Sequence, residues 1–149
     1  MPTLEDALLI AVKAHKGQRD KAGETYILHP LRVMMQMDTE EERIVAILHD
    51  VAEDAKNWTL DGLRQEGFNE RVVDGIDHIT RRKKDGRKEP YEEFIERLKK
   101  NPLAIKVKIV DLKDNMNLTR LNKMTKKDIE KLKDYHRALQ NLSMIKESF

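Results

Sequence analysis

No cysteine occurs in the chain. Disulfides, zinc ribbons, iron–sulfur clusters and thiol catalysis are therefore excluded, and histidine and carboxylate must hold any metal. No apolar run approaches the ~20 residues that span a bilayer. The first residues lack the basic and continuous apolar stretches of a secretory signal. No membrane association and a cytoplasmic location are expected. A large surplus of one charge is missing too: 29 Lys and Arg face 27 Asp and Glu, for a net charge of +2. Neutralising a phosphate backbone calls for a stronger basic bias, so no nucleic-acid partner is expected.

What is present is charge of both signs laid over a helical pattern. Charged residues make up 38% of the 149, against roughly 25% in an average domain, while apolar residues still reach 39%. Leu4, Leu8, Ala11, Val12 and His15 recur at steps of three to four and predict a first helix ending near Gly17. A charged loop follows to Thr25, and a second helix starts around Tyr26–Pro30. Thr39 and Glu42 form a capping box for a third helix running to about Ala55. Thr59 and Asn69 cap two more, ending near Glu66 and Ile79, and Tyr91–Lys100 and about Pro102 to Leu118 continue the series. Thr125 and Asp128 cap a last helix. The stretch from Thr80 to Lys88 has no apolar periodicity and reads as a mobile loop, and no strand pattern stands out. The expectation is one all-α domain, 1–149, built as a helical bundle around one core.

The third helix carries His49-Asp50-Val51-Ala52-Glu53-Asp54. At ~100° per residue, His49 and Glu53 lie about 40° apart, as do Asp50 and Asp54. Three carboxylates beside a core repel each other and resist desolvation, and a bound cation removes much of that cost. The plainer alternative is a solvated acidic helix end with an incidental histidine. Two further residues extend the first reading. His29 opens a helix after an apolar run, and Asp111 sits in an apolar-rich helix where a lone carboxylate needs a partner. His29, His49, Asp50 and Asp111 together offer two imidazoles and two carboxylates. That donor set suits manganese, iron or zinc better than calcium.

These segments resemble the HD-domain metal phosphohydrolases, and more closely the hydrolase domain of RelA/SpoT-type alarmone enzymes and their small single-domain relatives. The likeness is carried by Ala14-His15-Lys16-Gly17-Gln18, by Gly23 to Pro30, by His49 to Asp54, and by Asp111 with Asn115. The resemblance implies a single HD-domain bundle with His29, His49, Asp50 and Asp111 as ligands of a divalent metal, usually Mn2+. It implies that Glu53 and Asp54 position and activate the attacking water, and that Lys21 and Asn115 border the substrate pocket. The implied reaction removes the 3′-pyrophosphate from a guanosine alarmone, (p)ppGpp, in the stringent response. A synthetase domain does not fit in 149 residues, so degradation alone is expected.

The chain departs from the family pattern at two places. Asp20 stands where relatives usually carry an Arg that stacks on the base, with Arg19 shifted by one. Asp114 stands where many have His. Two other readings follow: an HD hydrolase of another nucleotide, such as a nucleoside monophosphate or NADPH, and a catalytically silent nucleotide-binding HD module. Arg81 and Arg82, with Lys83, Lys84, Arg87 and Lys88, read either as an electropositive flap over substrate phosphates or as a solvated loop. The sequence sets no oligomeric state. Met34, Met35 and Met37 read as core.

Overall fold

The computed structural model describes residues 1–54 and 58–147. Nine helices and one short hairpin are found among them. Helix α1 (Leu4–His15) starts at a capping box in which Thr3 and Asp6 satisfy each other's backbone amides. Helix α2 spans Leu28–Met35, with Pro30 in its first turn, where a missing amide costs nothing. Helix α3 (Glu40–Leu48) begins at the Thr39–Glu42 capping box. Helices α4 (Val51–Asp54), α5 (Leu60–Gln65), α6 (Glu70–Ile79), α7 (Tyr91–Leu98), α8 (Pro102–Asn115) and α9 (Lys126–Glu147) follow.

Helix α3 is the axis of the domain. Ile44, Val45, Ala46, Ile47 and Leu48 are all fully buried, and α1, α2, α6 and α8 pack around them. Helix α9 lies on α8. Any residue at the C-terminal end of α3 is therefore set among several helices at once.

Four expectations need correcting. The third helix is not continuous: α3 stops at Leu48, and α4 begins only at Val51. The carbonyl of Ala46, which would accept the amide of Asp50, instead takes the Nδ1–H of His49 and, at 3.5 Å, its backbone amide. A side chain inserted into the i→i−4 ladder breaks it there. The end expected near Ala55 lies outside the described residues. Next, α8 stops at Asn115, short of Leu118, which instead opens a 3-10 turn over Leu118–Arg120.

The basic segment is not a structureless loop either. Strands β1 (Lys83–Lys84) and β2 (Arg87–Lys88) pair antiparallel across Asp85-Gly86. Both turn residues have positive φ, 53° and 77°, the geometry an Asp-Gly hairpin turn requires. Finally, Met34 and Met37 are core, but Met35 is exposed.

Arg97 ties the base of this hairpin to the bundle. Its guanidinium donates to both carboxylate oxygens of Glu89 (3.1 and 2.9 Å), to Thr80 O (2.7 Å) and to Asp77 O (3.0 Å). Arg97→Ala takes the paired charge from the largely buried Glu89 carboxylate, which keeps the Arg82 amide, and removes a donor from Thr80 O and from Asp77 O, which keeps the Thr80 amide. It is expected to cost about 3 kcal/mol, or roughly 6–12 °C in Tm for a domain of this size. Arg97→Lys should recover little, because an ammonium cannot reproduce the fork. Thermal melts of the two variants check this.

Candidate metal centre

The break after α3 leaves His49 buried at the end of the central helix, 2% exposed. Its Nδ1 faces a carbonyl oxygen, which can only accept, so Nδ1 carries the proton and Nε2 points inward. Helix α2 brings His29, and α8 brings Asp111. Both imidazoles converge on one oxygen: Asp111 Oδ1 lies 2.9 Å from His29 Nε2 and 3.1 Å from His49 Nε2. Asp50, in the turn after α3, places Oδ2 3.2 Å from His49 Nε2 and 3.6 Å from His29 Nε2. One atom from each of these four residues lies within 4.8 Å of all the others. Two inward-facing imidazole nitrogens and two carboxylates in a pocket this small fit a divalent cation.

A surrounding layer holds these groups. Tyr26 Oη donates to Asp50 Oδ2 at 2.5 Å. Lys108, one turn before Asp111, donates to Asp111 Oδ2 at 2.9 Å and sits over the Phe94 ring. Asp111 thus turns Oδ1 to the imidazoles while Oδ2 is held by an ammonium. Asn115 Nδ2 reaches Asp111 Oδ1 at 3.3 Å. Asp114 accepts from His29 Nδ1 at 2.6 Å and from Arg32.

Electrostatics follow from this packing. Burial pushes the His29 imidazole toward its neutral form, but hydrogen bonds to Asp111 and Asp114 outweigh it and raise the pKa from 6.5 to about 10. Burial likewise opposes charge on His49, and Asp50 and Asp111 still raise its pKa. Asp111 resists its own burial and ionises well below the usual carboxylate range, held by Lys108 and the two histidines.

Two pH effects of opposite sign result. In chelator-stripped protein the raised His29 pKa contributes stability that is complete below pH 6.5 and lost as pH rises toward 10. A divalent ion requires neutral imidazoles, so binding releases their protons. Mn2+ affinity is then expected to rise about tenfold per pH unit for each proton released. Calorimetric titrations between pH 6 and 8 check this, and a pH-independent Kd would contradict it.

The other sequence-predicted residues divide. Tyr26 and Asn115 also line a cavity of about 270 Å³ beside the centre. Lys21 lines it too and pairs with Asp128 at 3.1 Å, and Arg19, Arg120 and Lys131 add positive charge to its wall. Asp20 is on the wall as well, but its Oδ1 accepts the amides of Ala22 and Glu24, each at 2.9 Å. It therefore acts as the brace of a tight turn at Gly23, whose φ is +82°.

Glu53, on α4, accepts from the Arg81 amide at 3.4 Å. The Asp54 side chain lies outside the described residues. The side chains of Arg81 and Arg82 turn elsewhere. Arg81 donates to Glu89 O and covers the Tyr91 ring, and Arg82 reaches Asp77. Neither lines the cavity. His15 packs against the loop, bonded to Gln18 and 5.0 Å from the Tyr26 ring. Lys108 and Asp114 were not singled out from sequence as parts of the centre. Their shared signal is their place one turn before and one turn after Asp111, and Asp114 stands out further as a departure from the family pattern.

The HD-domain family profile matches residues 7–142. A GTP pyrophosphokinase of Streptomyces antibioticus is 30% identical over 153 aligned residues, covering 95% of this chain and 18% of the relative. The guanosine-3′,5′-bis(diphosphate) 3′-pyrophosphohydrolase of Aquifex aeolicus is 34% identical over 121, covering 76% and 17%. The bifunctional (p)ppGpp synthase/hydrolase SpoT of Escherichia coli is 30% identical over 124, covering 76% and 17%. The chain thus spans under a fifth of the length of these curated relatives. A solved structure described as a metazoan ortholog of SpoT that hydrolyzes ppGpp superposes with a TM-score of 0.75 at 21% identity, covering 95% of this chain and 86% of that one, and so shares the fold. Among the described residues, no helix is long and apolar enough to cross a membrane.

Proposed function

The chain belongs to the HD-domain family, and from that premise we propose that it is a metal-dependent phosphohydrolase that removes the 3′-pyrophosphate of guanosine alarmones. The observation that carries this reading is the convergence of His29, His49, Asp50 and Asp111 beside a cavity whose wall holds Arg19, Lys21, Arg120 and Lys131 against Asp20 and Asp128. These four residues would hold the ion, for which Mn2+ is our proposal. When bound, a divalent ion there supplies a Lewis acid that lowers the pKa of water and offsets phosphoryl charge.

The chain's own residues do the rest. Glu53, three residues after Asp50, accepts the proton of the attacking water, and Asp54 shares in orienting that water. Water adds at the phosphorus that carries the 3′ oxygen, and the bond between them breaks. The 3′ oxygen takes up a proton, leaving a 5′-phosphorylated nucleoside and pyrophosphate. Lys21, Lys131 and Arg120 attract the polyphosphate into the cavity, and Asn115 hydrogen-bonds the ribose or a phosphate. In this reading Arg81 and Arg82 contribute to substrate binding only if the hairpin segment moves from the pairings it holds.

A specific observation favours a second substrate choice. With Asp20 bracing its own turn, no guanidinium stands at that point to stack on a base. Hydrolysis of another nucleotide, a nucleoside monophosphate or NADPH, is the competing reading. Purified Mn2+-loaded protein, screened against 3′-pyrophosphorylated nucleotides and ordinary nucleotides, separates the two. Pyrophosphate release from the guanosine alarmone is expected. Because no Arg stands at the position of Asp20, and any stacking must come from elsewhere on the wall, such as Arg19, its kcat/KM should exceed that of the adenine form by less than about 10³, or ~4 kcal/mol of discrimination. Phosphate release from a monophosphate, with no turnover of any 3′-pyrophosphorylated nucleotide, favours the competing reading.

A further inference from the structure

We propose that Asp114 is the positioning residue for His29, and that Arg32 anchors Asp114 in that role; the proposal rests on the metal-centre reading above. Each imidazole of the centre must present a lone pair at Nε2, so each needs an acceptor that holds the proton on Nδ1. For His49 that acceptor is a backbone carbonyl, Ala46 O, which no substitution removes. For His29 it is a side chain, Asp114 Oδ2, at 2.6 Å.

A carboxylate free to rotate would orient the ring poorly, and Asp114 is not free. Arg32 grips both of its oxygens, Nε to Oδ1 at 2.7 Å and Nη2 to Oδ2 at 2.9 Å. Such two-point pairing fixes a carboxylate in plane as well as in distance. Arg120 stands 3.8 Å from Asp114 Oδ2 and donates to its backbone carbonyl at 3.5 Å.

The arrangement follows from two helices already in the site. Arg32 lies one turn after His29 on α2, and Asp114 one turn after Asp111 on α8, so both fall on the faces that build the centre. The side-chain acceptor and its anchor thus come from the same helix pair that supplies the two ligands. Asp114 fixes the ring plane of His29, keeps the proton on Nδ1 and makes Nε2 a better donor to a cation. The cations on Asp114 offset its charge.

The test measures Mn2+ binding to the full chain by calorimetry at fixed pH, with thermal melts in chelator. Asp114→Asn leaves one acceptor oxygen where His29 and Arg32 use two, and turns an NH2 donor on one of them, so it is expected to weaken Mn2+ binding by about 10–100-fold, the usual effect of losing a ligand's outer partner. Arg32→Gln should weaken it in the same direction by less. Both losses should exceed what any change in Tm explains. His49→Ala serves as the control, because it removes a ligand outright.

If wild type and His49→Ala bind Mn2+ alike, the metal-centre reading itself falls. If His49→Ala loses the ion while Asp114→Asn keeps the wild-type Kd, the centre stands and the proposal is overturned. Should Asp114→Asn fail to fold, Arg32→Gln decides: a folded Arg32→Gln with the wild-type Kd overturns the proposal, and a weakened one supports it.

Discussion

Glu53→Gln is expected to leave Mn2+ content unchanged and to lower kcat by about 10²–10⁴-fold, the usual contribution of a general base. The substitution keeps the size of the side chain and its capacity to accept the Arg81 amide, but removes its ability to take a proton. Glu53 is not among the four residues whose ligand atoms converge, so the ion should stay. Metal analysis and turnover on the same preparation check both halves. A metal-replete Glu53→Gln with wild-type kcat would remove Glu53 from the mechanism.

A second large effect is expected at Asp111, and it reaches stability as well as activity. Asp111→Ala removes the oxygen on which both imidazoles converge and also strands the Lys108 ammonium, which is held by Asp111 Oδ2. Burial by itself disfavours that ammonium, and the Asp111 charge more than restores it. Removing one partner of a buried pair costs about 3–5 kcal/mol. Asp111→Ala should therefore lose Mn2+, activity and several degrees of Tm together. Adding Lys108→Met relieves the stranded charge, so the double variant should regain much of the Tm while remaining metal-free and inactive. Recovery of Mn2+ binding in the double variant would show that Asp111 acts through Lys108 and not as a ligand.

The parts of the domain that were legible from sequence are those with a local signal. Thr39 with Glu42 and Thr125 with Asp128 announce helix starts within four residues, and both capping pairs form. The His49-Asp50 pair and the isolated Asp111 carry chemistry that is hard to place in a core without a partner. The break after Leu48 was hidden because its cause is a side chain competing for its own helix's carbonyl, which leaves apolar periodicity untouched. The hairpin was hidden because both strands are exposed and basic, so no alternation marks them. Only the Asp85-Gly86 turn did. Lys108 was obscured by its ordinary setting on a mixed helix, and Asp114 stood out only as a departure from the family pattern, with no partner to explain it. The link from Asp114 to His29 spans 85 residues and exists only once α2 and α8 pack. Asp20 stood out only as the loss of a stacking Arg, and the two amides it accepts give it a local task that residue type alone does not reveal.

The proposed hydrolysis depends on one divalent ion held by His29, His49, Asp50 and Asp111. Anomalous diffraction at the manganese edge from Mn2+-loaded crystals tests it most directly. One strong peak is expected, with ligand atoms of all four residues about 2 Å away. A fully active, Mn2+-loaded protein whose peak lies elsewhere, or whose peak lacks Asp111 or either histidine as a ligand, would contradict it.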